Sequence, residues 1–309
     1  MPTQAHIFVG ASLIRHKNKQ GLLDQLQGEL TQAGLMASYR VEKQHHSLYA
    51  QAKIVARSRS FQSIDLPIIV IGNEATANEV LSGFLAINPE RKLPLLLISW
   101  PEKGLQVHEI LSEINASLNQ NTIINRPIAK IEGDVPTKGA RYFFNYLQIG
   151  SDFSALLPTF NQKVIWKQAG QQFLNFWSNF SRNQDKIFFA WTLRHGTSYQ
   201  HNPKTLGLQI LLNNDNEQEP FTVRVVNQVA WPKILLTYLQ GKKGRQNPSR
   251  RGFISFPLGN NAAFHIRDLE SIKLDGNVLE NGAYSFTLSM AGTYPVIEAV
   301  NLSKNKKKK

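Results

Sequence analysis

The sequence predicts an α/β domain followed by an antiparallel β domain, and three observations carry that prediction. Through residue 118, short aliphatic runs alternate with stretches whose apolar residues recur at helical spacing, the pattern of βαβ units. Beyond Asn125-Arg126-Pro127 the pattern changes to short segments with period-two alternation, separated by turn residues. Near the end, Asp275-Gly276 and Asn281-Gly282 are dipeptides that favour the primed turns of β-hairpins.

Taken in order, His6–Ser12 reads as a first strand. Leu22, Leu23, Leu26 and Leu30 mark one helix face, which Gly34 can terminate. Ser38–Val41 is a short strand. Ser47–Arg57 reads as a helix carrying Leu48, Ile54 and Val55. Leu66–Ile71 is a buried-type strand that breaks at Gly72. Asn73–Thr76 reads as a polar turn, followed by a helix on Val80, Leu81, Phe84 and Leu85. Leu93–Trp100 is another buried-type strand. Val107, Ile110, Leu111, Ile114 and Leu118 make an amphipathic helix. In the second half, Ala140–Ile149, Ile187–Leu193, Thr205–Leu212 and Phe221–Val226 read as strands and Gln168–Phe180 as a helix. Ile272, Leu274, Val278, Tyr284, Phe286 and Leu288 alternate through the last hairpins. The expected architecture is a Rossmann-like three-layer α/β/α domain over residues 1–125, an antiparallel β domain over 126–289, either a β-sandwich or an open barrel, a segment 290–303 that packs back on the first domain, and a basic tail, 304–309.

The bulk numbers narrow the class. The chain has 309 residues with 42% apolar content, enough for a sizeable core and two domains. No apolar run approaches the roughly 18 residues that span a bilayer. The start, MPTQAHIFVG, has no basic segment before its apolar run, which argues against a signal peptide. There is no cysteine, which removes disulfides, thiolate catalysis and zinc–cysteine sites together. A cytoplasmic chain is expected, with peripheral contact at the inner membrane face. The sequons at Asn115, Asn179 and Asn301 then read as chance matches. The net charge is +13, concentrated in Lys304, Lys306–Lys309 and in Gly241–Gly252, GKKGRQNPSRRG, which holds basic residues and no acid. Such patches attract anionic membrane surfaces or nucleic acid, or simply solvate a loop and a tail. No nucleic-acid-binding motif is present and the aromatic residues are not interleaved with the basic runs, so no specific nucleic-acid partner is expected.

The stretch Leu66–Phe84 carries the chemistry. A strand, a tight turn and a helix start form the local geometry that aims backbone N–H groups at a phosphate. The turn is poor in glycine for that task. Set in the order of elements around it, this stretch resembles the glycine-rich GGDGTxNEVxNG motif of the soluble diacylglycerol kinase and sphingosine kinase family. Gly72, Thr76, Asn78, Glu79, Val80 and Gly83 match it, and the likeness covers nearly the whole chain. Arg141–Phe153 is similar to the segment that opens the family's second domain, and Leu236–Pro248 to its basic helix and loop. Ile272–Leu279, IKLDGNVL, lies where the family carries its late DGE motif.

The resemblance implies a lipid kinase that uses ATP and Mg²⁺ to phosphorylate a lipid hydroxyl at a membrane surface. It implies nucleotide contacts at Gly72, Asn73, Glu74, Ala75, Thr76, Asn78 and Glu79. It also implies catalytic positions at Asp275 and Asn277, with Glu280 as a substitute acid, and an acidic metal position at Glu217 and Glu219. A homodimer is compatible with it. The sequence departs from the family at the chemistry. Asn73 and Ala75 replace glycines and Glu74 the aspartate. Gly10–Ile14 replaces the family's NPxSG turn, and Ser99–Gln106 lacks its PxGTxND loop. Asn277 stands where the family has its glutamate general base. An amide has no useful basicity near neutral pH, and a general base typically supplies about 10²- to 10⁴-fold. Three readings follow, one of which, a nucleic-acid-associated protein, rests on charge alone. Another is an active lipid kinase. The third, which the departures favour, is a lipid- or nucleotide-binding relative with weak or lost phosphoryl transfer.

Other constellations have a chemical and a plain reading. His45-His46 with Glu42 is a metal site or a surface loop. Arg194, His195 and His201 contact a headgroup or line a solvated loop. Phe173, Phe176, Trp177 and Phe180 line an acyl pocket or pack a core. Asp275-Gly276 is first of all a hairpin turn. Asp134 and Asp152 have no acidic partner at a persuasive spacing, and Walker, G-x-S-x-G and H-E-x-x-H motifs are absent.

Overall fold

The computed structural model describes residues 4–11, 18–43, 47–58, 61, 64–99, 107–134, 140–150, 187–192, 198–213, 218–227, 253–269, 272–279 and 282–300. The chain divides into two compact units. The first comprises Met1–Ile128, Asp275–Asn277 and Gly292–Lys309, and the second Ala129–Leu274 and Val278–Ala291.

The first unit is α/β. Its strands are β1 (Ala5–Val9), β2 (Met36–Val41), β3 (Ile68–Gly72) and β4 (Leu95–Ser99). Its helices are α1 (Lys19–Gln32), α2 (Leu48–Ala56), α3 (Glu74–Leu85) and α4 (Val107–Gln120). The strands are parallel in the order β2-β1-β3-β4, and the chain's last strand closes the row, Val296 and Ile297 pairing in parallel with Leu95 and Leu96. β1 and β3 are buried along their whole length, which explains their unbroken aliphatic runs. One face of β1, Ala5, Ile7 and Val9, packs with Leu23, Leu26 and Leu30 of α1 and Ile110 and Ile114 of α4. The other face carries His6 and Phe8. Phe8 meets Phe84 edge-on at 5.6 Å, and Phe84 stacks on Phe61 at 4.7 Å. Helices therefore cover both faces of the sheet.

The second unit is antiparallel. Its strands are β5 (Ile123–Asp134), β6 (Arg141–Phe143), β7 (Tyr146–Gly150), β8 (Ile187–Thr192), β9 (Ser198–Leu212), β10 (Phe221–Asn227), β11 (Phe253–Leu258), β12 (Ala262–Leu269), β13 (Ile272–Leu274), β14 (Asn277–Val278) and β15 (Gly282–Ile297). β13, β7, β9, β10 and β11 run side by side, and the N-terminal part of β9 also pairs with β8, which leads to β12 and β15. One buried cluster collects alternate residues of these strands, among them Leu147, Ile149, Leu208, Ile210, Val223, Val225, Phe264 and Phe286. β5, β14 and β15 each contain residues of both units.

Several expectations need correction. The four-residue turn at Asn73–Thr76 is absent: helix α3 begins at Glu74, directly after β3, because Asn73 caps it. Ile54 is 62% exposed and does not share the buried face of α2 with Leu48 and Val55. Ala140–Ile149 is not one strand but two, β6 and β7, interrupted at Phe144-Asn145. The strands of the second half are not uniformly short, since β9 has 15 residues and β15 has 16. His201 belongs to strand β9, paired with β8, rather than to a loop. The expected helix Gln168–Phe180 with its aromatic stripe, His45-His46, Arg194-His195, Asp152, Gly241–Gly252 and the lysine tail lie outside the described residues.

Candidate functional site

Strand β3 delivers the chain to the site. It ends at Gly72, where an added Cβ would come within 2.7 Å of Thr76 Oγ1, so only glycine fits beneath the first turn of α3. Asn73 is in extended conformation, with φ −117° and ψ −177°, as an N-cap should be. Its Oδ1 accepts from the Thr76 backbone N–H at 2.9 Å and from the Thr76 hydroxyl at 2.9 Å. The Asn73 N–H donates back to Thr76 Oγ1 at 3.4 Å, closing a capping box. Ala77 N–H donates to the Asn73 carbonyl at 3.0 Å. The amides of Asn73 and Thr76, which an uncapped helix start would offer to an anion, are engaged within the capping box, while that of Ala77 makes the helix's first intrahelical bond.

Glu74 occupies the first helical position and is exposed. A carboxylate there favours the positive end of the helix dipole by about 0.3–1 kcal/mol. It also brings a negative charge to a helix end where an anion would otherwise be favoured. Arg126 Nη2 lies 4.0 Å from Glu74 Oε1. The sequence offered no signal for that pairing, because Arg126 reads only as part of a polar break before Pro127. Ala75 is half-buried, and Glu79 is half-buried one turn further along.

Asn78 is buried on α3. Its Nδ2 donates to Oδ2 of Asp275 at 3.5 Å. Asp275 and Gly276 form the turn between β13 and β14, with φ of +50° and +90°. Asp275 is itself buried, and Asp275–Asn277 group with the first unit. Asn277 is half-buried on β14. The first unit thus contains Gly72, Asn73, Glu74, Ala75, Thr76, Asn78, Glu79, Asp275 and Asn277. Glu219 belongs to the second unit, exposed just before β10. Glu217 and Glu280 lie outside the described residues. Among the described residues, no three His, Asp or Glu side chains gather closely enough to hold a metal ion.

Chemically, the arrangement is a closed helix start with one acid at its tip and a buried amide–carboxylate pair one turn away. It suits a well-anchored scaffold. The donors engaged in the capping box and the charge of Glu74 do not fit the phosphates of ATP at this turn.

No protein-family model matches the chain, and no curated protein sequence does. Solved structures do match. A diacylglycerol kinase from Bacillus anthracis strain Sterne superposes with a TM-score of 0.56 at 13% identity, covering 97% of this chain and 98% of that one. Another structure from the same organism, provisionally named a diacylglycerol kinase, gives 0.57 at 12% identity with 96% of both chains covered. A third, named in the same provisional way, gives 0.55 at 13%. At these identities the likeness shows the fold, an α/β unit and an antiparallel β unit in the arrangement of elements found in those proteins. No helix among the described residues is long and apolar enough to cross a membrane.

Proposed function

We propose that this chain is a lipid-binding relative of the diacylglycerol kinases in which phosphoryl transfer is weak or lost. The observation that carries the reading is the capping box at Asn73 and Thr76. A nucleotide phosphate at the start of α3 would have to displace Asn73 from the helix end and sit beside the Glu74 carboxylate. Asn277 adds to it: its amide can orient a hydroxyl but cannot take its proton. The full-length likeness to diacylglycerol kinase structures supports descent from a lipid-handling fold, and the basic runs at 241–252 and 304–309 support contact with an anionic surface.

A transfer assay with labelled ATP, Mg²⁺ and diacylglycerol in mixed micelles tests the proposal, beside a thermal-shift titration with ATP·Mg²⁺. No transfer above the protein-free blank and no shift are expected. ATP-dependent transfer that disappears in Glu74→Ala would overturn it and establish the second reading, an active lipid kinase. The buried Asn78–Asp275 pair favours that second reading, because it keeps a carboxylate of the late turn against the helix of the nucleotide motif.

A further inference from the structure

The antiparallel unit contains a row of hydrogen-bond donors that nothing in the site above uses. Lys273 of β13 pairs with Gln148 of β7, Gln148 with Gln209 of β9, Gln209 with Arg224 of β10, and Arg224 with Ser255 of β11. Directly paired residues share a face of the sheet. Their sequence neighbours Leu147, Ile149, Leu208, Ile210, Val223, Val225, Ile272 and Leu274 all point into the apolar core, so this row lies on the opposite face. Strands lie about 4.8 Å apart, which puts the Cα atoms of Lys273 and Arg224 about 14 Å from each other, with the two glutamines between them. The long side chains at either end can close over that interval.

Three features make the row more than a polar surface. Gln148 is only 3% exposed and its Nε2 is buried with no hydrogen-bond partner. Gln209 is 8% exposed. Arg224 is half-buried, and burial alone pushes its pKa down; no carboxylate among the described residues pairs with it or with Lys273. On this face the described positions of β7, β10, β11 and β13 and the paired part of β9 carry no acid at all. Beside the row, Gly150 and Gly207 are cross-strand partners, so two adjacent positions carry no side chain. Buried donors without acceptors are rare, and a partly desolvated guanidinium favours a counter-charge.

We propose that the Lys273–Gln148–Gln209–Arg224 row is an anion-binding site for a phosphate group. The guanidinium and ammonium supply charge from the two ends, and the two amides supply neutral donors in the middle. The phosphate is carried by a lipid headgroup or is free in solution. The site does not depend on the reading of the α3 helix start, because every residue in it belongs to the second unit.

The test uses the full chain. Its melting temperature is followed in sodium phosphate and in sodium chloride of matched ionic strength. Its flotation is followed with phosphatidylcholine vesicles with and without phosphatidic acid. A rise in melting temperature in phosphate over chloride that is diminished in Arg224→Gln assigns the site to the free anion, since the general stabilisation by phosphate does not depend on that residue. Recruitment by phosphatidic acid without a response to phosphate assigns it to a headgroup. In either case Arg224→Gln and Lys273→Gln should each weaken the response about tenfold, the effect of losing one charge-assisted hydrogen bond. Gln148→Leu should diminish the response while leaving the ligand-free protein at least as stable, since it removes an unpaired donor. Lys273 is only half-buried, so its variant folds even if the others do not. The proposal is overturned if phosphate behaves as chloride does and phosphatidic acid adds nothing to phosphatidylcholine, or if the responses are unchanged in Lys273→Gln and Arg224→Gln.

Discussion

Asn78 Nδ2 donates to Asp275 Oδ2 across 3.5 Å, joining a helix residue to a hairpin-turn residue 197 positions later in the chain. Both are buried, so each satisfies part of the other's hydrogen-bonding capacity away from water. The carboxylate reaches this place because the Asp275 backbone adopts φ +50°, a conformation that Asp and Gly tolerate and that alanine adopts at about 1 kcal/mol.

Asp275 therefore has two separable roles, and two substitutions divide them. Asp275→Gly removes the hydrogen bond and keeps the turn. Asp275→Ala removes both. The alanine variant should lose about 1 kcal/mol more than the glycine variant, because the left-handed conformation costs alanine about 1–2 kcal/mol and the smaller entropy that alanine loses on folding offsets part of it. Urea unfolding of the two proteins checks it. Equal losses would mean that the turn is held by its surroundings rather than by its own backbone preference.

The turn itself was legible in the sequence, since Asp-Gly between alternating apolar residues is a local signal. Its meeting with Asn78 was not. Nothing local in either segment encodes a contact across 197 positions. The same divide runs through the fold. β1, β3 and α4 were plain from periodicity, because buried parallel strands and amphipathic helices write their surroundings into their own composition. β15 was legible only as far as Leu288. Its continuation to Ile297 passes through Gly292 and Pro295, residue types disfavoured inside strands, and pairs with β4 at Val296 and Ile297. At the helix start the sequence correctly showed missing glycines. It did not show that Asn73 turns the gap into a cap, because Asn serves equally well in an open turn.

His6 makes stability depend on pH. It is buried on β1, its Nδ1 lies 2.9 Å from Ser38 Oγ, its ring is 5.6 Å from that of Phe61, and its Nε2 is buried with no hydrogen-bond partner. Burial first, and then the Arg91 guanidinium that lies over the Phe61 ring, lower its pKa below the ordinary histidine value of 6.5. Between the lowered folded value and 6.5 the unfolded chain binds the proton and the folded chain does not, so stability falls as pH drops through 6.5 and levels off below the folded pKa. For one proton the slope cannot exceed about 1.4 kcal/mol per pH unit. Comparing urea midpoints from pH 8 to pH 5.5 in the parent and in His6→Gln isolates this contribution. The variant should show a shallower decline over that range.

Two glycines on helices should respond in opposite directions to alanine. A Cβ on Gly83 of α3 would lie 2.5 Å from the Tyr49 carbonyl oxygen and 2.6 Å from Ala52 Cβ, both on α2. Backbone blocks it, so the helices must separate. Overpacking costs about 1–3 kcal/mol against a helix-propensity gain of about 1, leaving a loss that should lower the melting temperature. A Cβ on Gly28 of α1 meets nothing within 4 Å. Gly28→Ala should raise stability by about 0.5–1 kcal/mol. Thermal unfolding of both variants checks the pair.

The capping box makes a sharper prediction about the start of α3. Asn73→Gly frees the Thr76 N–H and hydroxyl, and because glycine is itself an acceptable N-cap it should cost only a few tenths of a kcal/mol, where Asn73→Ala should cost about 1. Adding Ala75→Gly admits the backbone conformations that a phosphate cradle needs, and Glu74→Asp shortens the acid at the helix tip. If the closed helix start is what excludes the nucleotide, ATP·Mg²⁺ should raise the melting temperature of the triple variant and leave the parent unmoved. The outcome separates two physical causes. A shift in the variant alone means that three side chains withhold the helix's anion-binding amides. No shift in either protein means that restoring those amides is insufficient, and that the donors contributed elsewhere, beginning with the strand end at Ser99, are missing as well.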